Sequence, residues 1–242
     1  LFGRENHFTV GGSYQRGTAL FNAVVELADL DPVTRSTEGL GVGSYVDELE
    51  THVRTETEVF SLYAVNVMDI TDRLTLTLGG RYNDTDVTLR DRSGERPELN
   101  GDHNFTRFNP SVGMTFDATE NMNLYASYSE SNRVPTPIEL ACNEYVFEVA
   151  QEFAIAAGED PDEIEFECRL PNAFLADPPL DDVVTKSVEL GMRGETAFMD
   201  YQVGLFHATN QDDILFQTTG RATGLFANVD KTRRWGLESA FS

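Results

Sequence analysis

Along residues 73–86, RLTLTLGGRYNDTD, the positions Leu74, Leu76, Leu78 and Tyr82 alternate with Thr75, Thr77, Arg81, Asn83 and Thr85. A repeat of two means a β-strand with one apolar and one polar face. The same alternation returns along the chain. Phe108, Val112, Met114 and Phe116 oppose Asn109, Ser111, Thr115 and Asp117. Met122, Leu124, Ala126 and Tyr128 oppose Asn123, Ser127 and Ser129, with Tyr125 out of phase. Val188, Leu190 and Met192 oppose Ser187, Glu189 and Arg193, and Tyr201, Val203 and Leu205 oppose Asp200, Gln202 and Gly204. Near the end, Trp235, Leu237 and Phe241 oppose Arg234, Gly236 and Glu238. Residues 56–69 are strand-like but mixed on both faces, so their sides stay unassigned.

The connectors alternate in length. ITDR (70–73), ATEN (118–121) and ETAF (195–198) are tight polar turns suited to hairpins. Between them lie long polar segments at 17–55, 90–104, 133–182 and 212–230. Short turns at one end and long loops at the other predict an all-β, antiparallel, up-and-down meander. Outer-membrane β-barrels sort their connections in this way, with short periplasmic turns and long extracellular loops. Greek-key sandwiches mix the ends.

Two further features direct the apolar face toward hydrocarbon. Tyr82, Phe108, Phe116 and Tyr128 bound the apolar rows, as an interfacial aromatic girdle requires. The opposite face carries Arg81, Glu189, Arg193 and Glu238, which a dry core would bury at a cost of several kcal/mol each. A wet lumen holds them readily. Positions 74–82 supply roughly 30 Å of strand, the scale of an apolar band about 25 Å tall. The alternative is a soluble β-rich module whose greasy rows meet a second sheet.

Charge and length narrow the classes. Lys and Arg number 18 against 41 Asp and Glu, a formal charge of −23 over 242 residues. Phosphate neutralisation needs basic patches, so nucleic acid is excluded as a partner. No apolar run approaches the roughly 18 residues of a spanning helix. The opening LFGRENHFTV lacks the layout of a signal peptide, as a mature or excerpted chain also would.

Three stretches carry a family likeness. NLYASYSESNRVPTPIEL (123–140) contains Arg133, Pro135, Glu139 and Leu140 in an Arg-x-Pro-x-x-x-Glu-Leu pattern. KSVELGMRGE (186–195) contains Ser187, Glu189, Gly191, Arg193 and Gly194. NVDKTRRWGLESAF (228–241) contains Asn228, Arg234, Gly236 and Glu238. In this order, joined by hairpins, they resemble the barrel of TonB-dependent outer-membrane receptors. The resemblance implies a 22-stranded barrel in the bacterial outer membrane, closed by an N-terminal plug. It implies uptake of a scarce nutrient, most simply a ferric siderophore, powered by an inner-membrane TonB-type complex. Only nine or ten strand candidates are present, with no plug-like segment and no energy-coupling box. Residues 1–242 are therefore expected to be one part of a single barrel domain, with the plug and the C-terminal strands outside it. Arg81, Glu189, Arg193 and Glu238 are the expected ligand-binding residues of the lumen wall. A passive porin without a plug is the competing barrel function.

The segment 133–182 is expected to be a long extracellular loop. Its 141–182 portion carries twelve acidic residues against Arg169 alone. Cys142 and Cys168 both lie there and suggest a disulfide; free thiols and a metal clip compete. Tyr145, Val149, Phe153 and Ala156 recur at helical spacing and predict a short helix over 144–157, ended by Gly158. DPDEIE (160–165) reads as a capped turn and 170–182 as Pro-stiffened extended chain. The four histidines are scattered, and no nucleophile elbow or phosphate loop occurs. An enzyme is not expected, nor a cofactor, nor a resident metal.

Overall fold

The structure, a computed structural model, describes residues 4–24, 28–39, 51–94, 97–140, 151, 154–156, 158, 160, 180–218 and 224–242. Its strands are β1 (Asn6–Ala23), β2 (Ala28–Leu30), β3 (Thr37–Gly39), β4 (Thr51–Asp69), β5 (Leu74–Asp91), β6 (Gly101–Thr119), β7 (Met122–Arg133), β8 (Val183–Glu195), β9 (Asp200–Thr218) and β10 (Gly224–Phe241). A single helical turn, α1 (Pro137–Leu140), follows β7. The order β1-β4-β5-β6-β7-β8-β9-β10 forms one sheet, every neighbouring pair antiparallel, while β2 and β3 pair separately as a small ribbon. This is the up-and-down meander that the alternation predicts, and among the described residues no helix is long and apolar enough to cross a membrane.

Register lines the apolar rows up across strands. Leu62 pairs with Tyr82 and Tyr82 with Phe108; Leu78 pairs with Val112 and Val112 with Tyr128. Leu190, Leu205 and Leu237 form a further row. Apart from half-buried Tyr128 these side chains are exposed, from 40% at Tyr82 and Val112 to 63% at Leu237. A contiguous apolar face of that extent on a sheet eight strands wide is solvated by lipid, not by water. The register also settles 56–69: Phe60, Leu62 and Ala64 share the apolar face, and Ser61, Tyr63 and Val65 the polar one. The stretch looked mixed because the polar face also carries Tyr63, lying over Gly11 of β1.

The strands do not stop at the end of the apolar band. At the Tyr82–Phe108 pair the polarity of the two faces inverts. Beyond it the outer face of β5 and β6 carries Asp84, Asp86, Thr106 and Asn104, cross-linked from Asn104 Nδ2 to both aspartates at 2.8 Å. Arg90 grips Asp102 at 2.6 and 2.7 Å, and the guanidinium holds that carboxyl below the usual range. On the inner face, Val53, Val87, Leu89, Leu99 and Leu140 bury one another, with Phe21 and Phe105 packed alongside. A second inner cluster joins Leu180, Val183, Ile214 and Phe226. Above the bilayer, water lies outside the wall, so the apolar residues turn inward.

That inversion corrects the expected loop lengths. Strands occupy 17–23, 51–55, 90–91 and 101–104 of segments expected as loops, and most of 212–230. The connection between β9 and β10 is only 219–223. Where both faces carry charge or Gly, composition reads as loop although the ladder continues. The 92–100 connection holds a short 3-10 turn at Pro97–Leu99. In the long loop, Gln151 and residues 154–156 are helical, and Gly158 has φ +81°, as the expected helix end requires. The pairing of Cys142 with Cys168, the turn at 160–165 and most of 170–182 lie outside the described residues.

Candidate functional site

The polar face of the sheet carries two side-chain constellations. The first crosses four strands. Ser61 (β4) is buried, and its hydroxyl donates to Asn83 Oδ1 (β5) at 2.9 Å. Arg81 (β5) donates from Nε to the same Asn83 oxygen at 2.9 Å and from Nη2 to Ser61 Oγ at 3.0 Å. Asn83 Nδ2 and Asn109 Nδ2 (β6) both donate to Asn132 Oδ1 (β7), at 3.0 and 2.8 Å. Arg81 is thus held in position by neutral partners, with its charge facing out of the wall.

The second lies on β7 to β10. The Tyr125 hydroxyl donates to Glu189 Oε1 at 3.1 Å and accepts from Gln202 Nε2 at 3.4 Å. Its phenol lies over Gly191, its ladder partner: a Cβ there would come within 2.4 Å of the Tyr125 Cζ and hydroxyl and 2.7 Å of the Val203 carbonyl oxygen. Two shallow cavities flank the tyrosine, about 280 Å³ toward Arg193 and Thr77 and about 200 Å³ toward Glu238.

The four expected wall residues all face the polar side, but they do not form one site. Glu189, Arg193 and Glu238 gather around Tyr125, whereas Arg81 belongs to the first constellation. Sequence reasoning missed Ser61, Asn83, Asn109, Asn132 and Gln202, which are ordinary polar residues on polar positions. Tyr125 left a signal, being the one aromatic out of phase in its strand.

Other motif residues act as fasteners. Arg133 pairs with Glu139 at two points, 2.7 and 3.1 Å. The Thr136 amide and hydroxyl donate to the same carboxylate at 2.7 and 2.9 Å, and Thr136 Oγ1 accepts from the Glu139 amide at 3.4 Å. This is a capping box, with Thr136 as N-cap, Pro137 at the first helical position and Glu139 at the third. Burial alone would raise the Glu139 carboxyl; the Arg133 guanidinium and the Thr136 donors outweigh it and leave the group below its ordinary value. Leu140 is thereby pinned into the inner apolar cluster, and Pro135, between the two partners of the ion pair, is fully buried. Asn228 clamps the other end of the loop. It accepts from the Asp181 amide at 2.9 Å and donates to the carbonyl of Asp212, whose φ is +51°, at 2.6 Å.

Among the described residues no three His, Cys, Asp or Glu converge to hold a metal ion. The polar face offers fixed donors, acceptors and charges: the equipment for binding.

A family model described as TonB dependent receptor-like, beta-barrel, matches residues 1–242. No curated protein matches the chain in sequence. Solved structures do match. The copper transporter OprC superposes with a TM-score of 0.62 at 14% identity, over 98% of this chain and 32% of the other. The ferric yersiniabactin uptake receptor FyuA from Yersinia pestis gives 0.61 at 16%, over 98% and 29%. FpvA of P. aeruginosa, bound to a heterologous ferric pyoverdine, gives 0.64 at 18%, over 100% and 28%. At these identities the likeness is one of fold. The chain spans about a third of the length of the structures that it matches.

Proposed function

The chain belongs to the TonB-dependent receptor β-barrel family, whose members are transporters of the bacterial outer membrane rather than enzymes, and on that premise we propose that it forms part of the wall of a receptor that imports a ferric siderophore. In this reading residues 1–242 are one stretch of a larger barrel, completed by further strands and by a plug that fills the lumen. Uptake is gated and draws energy from an inner-membrane TonB-type complex that engages the plug side of the protein. The polar face is the lumen wall, and Arg81, Glu189, Arg193 and Glu238 are candidate contacts for ligand or plug.

The observation that carries the reading is the division of the faces: an exposed apolar band ending at Tyr82 and Phe108, backed by fixed charged side chains. A lipid-bound, water-lined wall explains both. FyuA, a ferric yersiniabactin uptake receptor, and FpvA, which holds a pyoverdine–iron complex, favour iron as cargo, while OprC is a copper transporter.

The test is a strain lacking the gene, grown on iron-limited medium with and without the purified siderophores of its environment. Reduced growth and reduced uptake of labelled ferric siderophore, restored by the intact gene, are expected. Unchanged uptake in the deletion strain overturns the iron assignment.

A further inference from the structure

The apolar boundary that crosses β5 and β6 at Tyr82 and Phe108 crosses β7 to β10 along one row of the ladder: Tyr128, Val188, His207 and Trp235. One step further toward the long loops, the same outer face presents Glu130, Lys186, Thr209 and Arg233. Lys231 follows one step beyond Arg233, opposite Gln211. Lys186 and Lys231 are the only two lysines in the chain. Lys186 and Arg233 stand two strands apart, roughly 10 Å between backbones, with Thr209 between them.

On β1 to β6 the arginines of that outer face are neutralised. Arg16 is tied to Glu56 and Glu58, Arg54 to Glu56 and Arg90 to Asp102. The cations of β8 and β10 are not balanced in this way. Arg233 is exposed and makes no ion pair among the described residues. Glu130, opposite Lys186, is shared: it accepts from the Tyr128 hydroxyl at 2.5 Å and pairs with Arg107 at 3.4 Å. Lys231 meets Asp230 at 3.3 Å in an exposed pair, which is worth little.

A chain of net charge −23 thus sets unbalanced cations on the outside of its wall, just above the hydrocarbon. Lipid headgroups lie at that level, and anionic ones attract Lys and Arg held near the bilayer surface. Trp235, 82% exposed directly below Arg233, is the aromatic residue of such an interface.

We propose that Lys186, Thr209 and Arg233 bind the phosphate of an outer-leaflet lipid headgroup. The two cations flank the phosphate and the Thr209 hydroxyl donates to it, while Val188 and Trp235 lie against the acyl chains. The inference needs the membrane setting of the family and is independent of the cargo.

Full-length receptor is reconstituted in phosphatidylcholine bilayers containing phosphatidic acid, whose headgroup is a bare phosphate monoester. Each lipid is supplied in turn with brominated acyl chains, which quench a neighbouring tryptophan. Trp235 is the one tryptophan of residues 1–242, and its signal is the difference from Trp235→Phe. Phosphatidic acid should be preferred beside Trp235 by about five- to tenfold, and the preference should shrink as salt is raised. Lys186→Gln combined with Arg233→Gln should bring it close to unity. Arg234→Gln removes the same charge from the opposite face of β10 and should leave the preference in place. Equal quenching by the two lipids, a preference insensitive to salt, or one that survives the double variant overturns the proposal. So does its loss on adding inorganic phosphate at constant ionic strength, which would mark a site for a free anion. Lipid preference and salt response are read on the wild-type protein, so the proposal can fail even if the double variant does not fold. Iron uptake in the deletion strain decides the cargo separately.

Discussion

Arg133 and Glu139 meet in a two-point ion pair, Nη1 to Oε2 at 2.7 Å and Nη2 to Oε1 at 3.1 Å. Six residues apart in sequence, they close the chain back on itself where β7 gives way to the long loop. Between them sit Pro135, fully buried, and Thr136, which caps the single turn of α1. The pair therefore fixes where the loop leaves the wall.

Glu139→Gln keeps the shape and removes the charge, leaving the Arg133 guanidinium without its anionic partner. A loss of about 1–3 kcal/mol in local stability is expected. Faster proteolytic cleavage within 141–182 and faster hydrogen exchange at the Leu140 amide would report it. Cleavage and exchange at the wild-type rate would show that the pair does not anchor the loop.

The same carboxyl sets a pH dependence. Its folded value lies below the ordinary 4.5, so its contribution is complete above that ordinary value and is lost as pH falls through the folded one. The Leu140 amide should stay protected at neutral pH and lose protection in acid, and Glu139→Gln should remove the carboxyl's share of that pH response. Hydrogen exchange over a pH series, corrected for intrinsic rates, checks the sign.

The polarity inversion at Tyr82 and Phe108 predicts a sharp depth dependence. Leu78→Arg places a cation on the apolar face within the band and should cost about 2–4 kcal/mol. Thr106→Arg lies on the same face just above the inversion, beside Asp84, and should cost no more than about 1 kcal/mol. Reversible denaturant unfolding from lipid vesicles measures both. Equal penalties would mean that the hydrocarbon boundary has been misplaced.

Gly191→Ala sets a methyl against the Tyr125 ring and the Val203 carbonyl oxygen. The ring can swing away, but the carbonyl belongs to the ladder, so the wall itself must shift; a cost of about 1–3 kcal/mol is expected. Gly17→Ala, in open space on β1, serves as the control and should be neutral to mildly stabilising. Thermal unfolding of the two variants compares them.

Much of the fold was legible because the side-chain period of a strand is two and one face meets hydrocarbon. Leu74 to Tyr82 and Phe108 to Phe116 announced themselves on that basis. The stretch 56–69 did not, because Tyr63, Val65 and Val67 put large side chains on the lumen side. The ends of the strands were hidden for a related reason. Arg90, Asp102 and Asn104 are outward residues in water, and they read as loop. For the candidate site, sequence offered the charges Arg81, Glu189, Arg193 and Glu238 but not their grouping. Proximity across a sheet depends on register, which no single strand encodes.

Sequence by itself determined that this chain is a set of lipid-backed strands joined by alternately short and long connections, since alternation and turn chemistry are local properties. Tertiary structure decided that Arg81 stands apart from the Tyr125 cluster, that the walls run on past the membrane with their faces exchanged, and that Lys186 and Arg233 share one row above the lipid boundary. Each of those outcomes depends on which residues of different strands come opposite one another, and on whether water or hydrocarbon lies behind them.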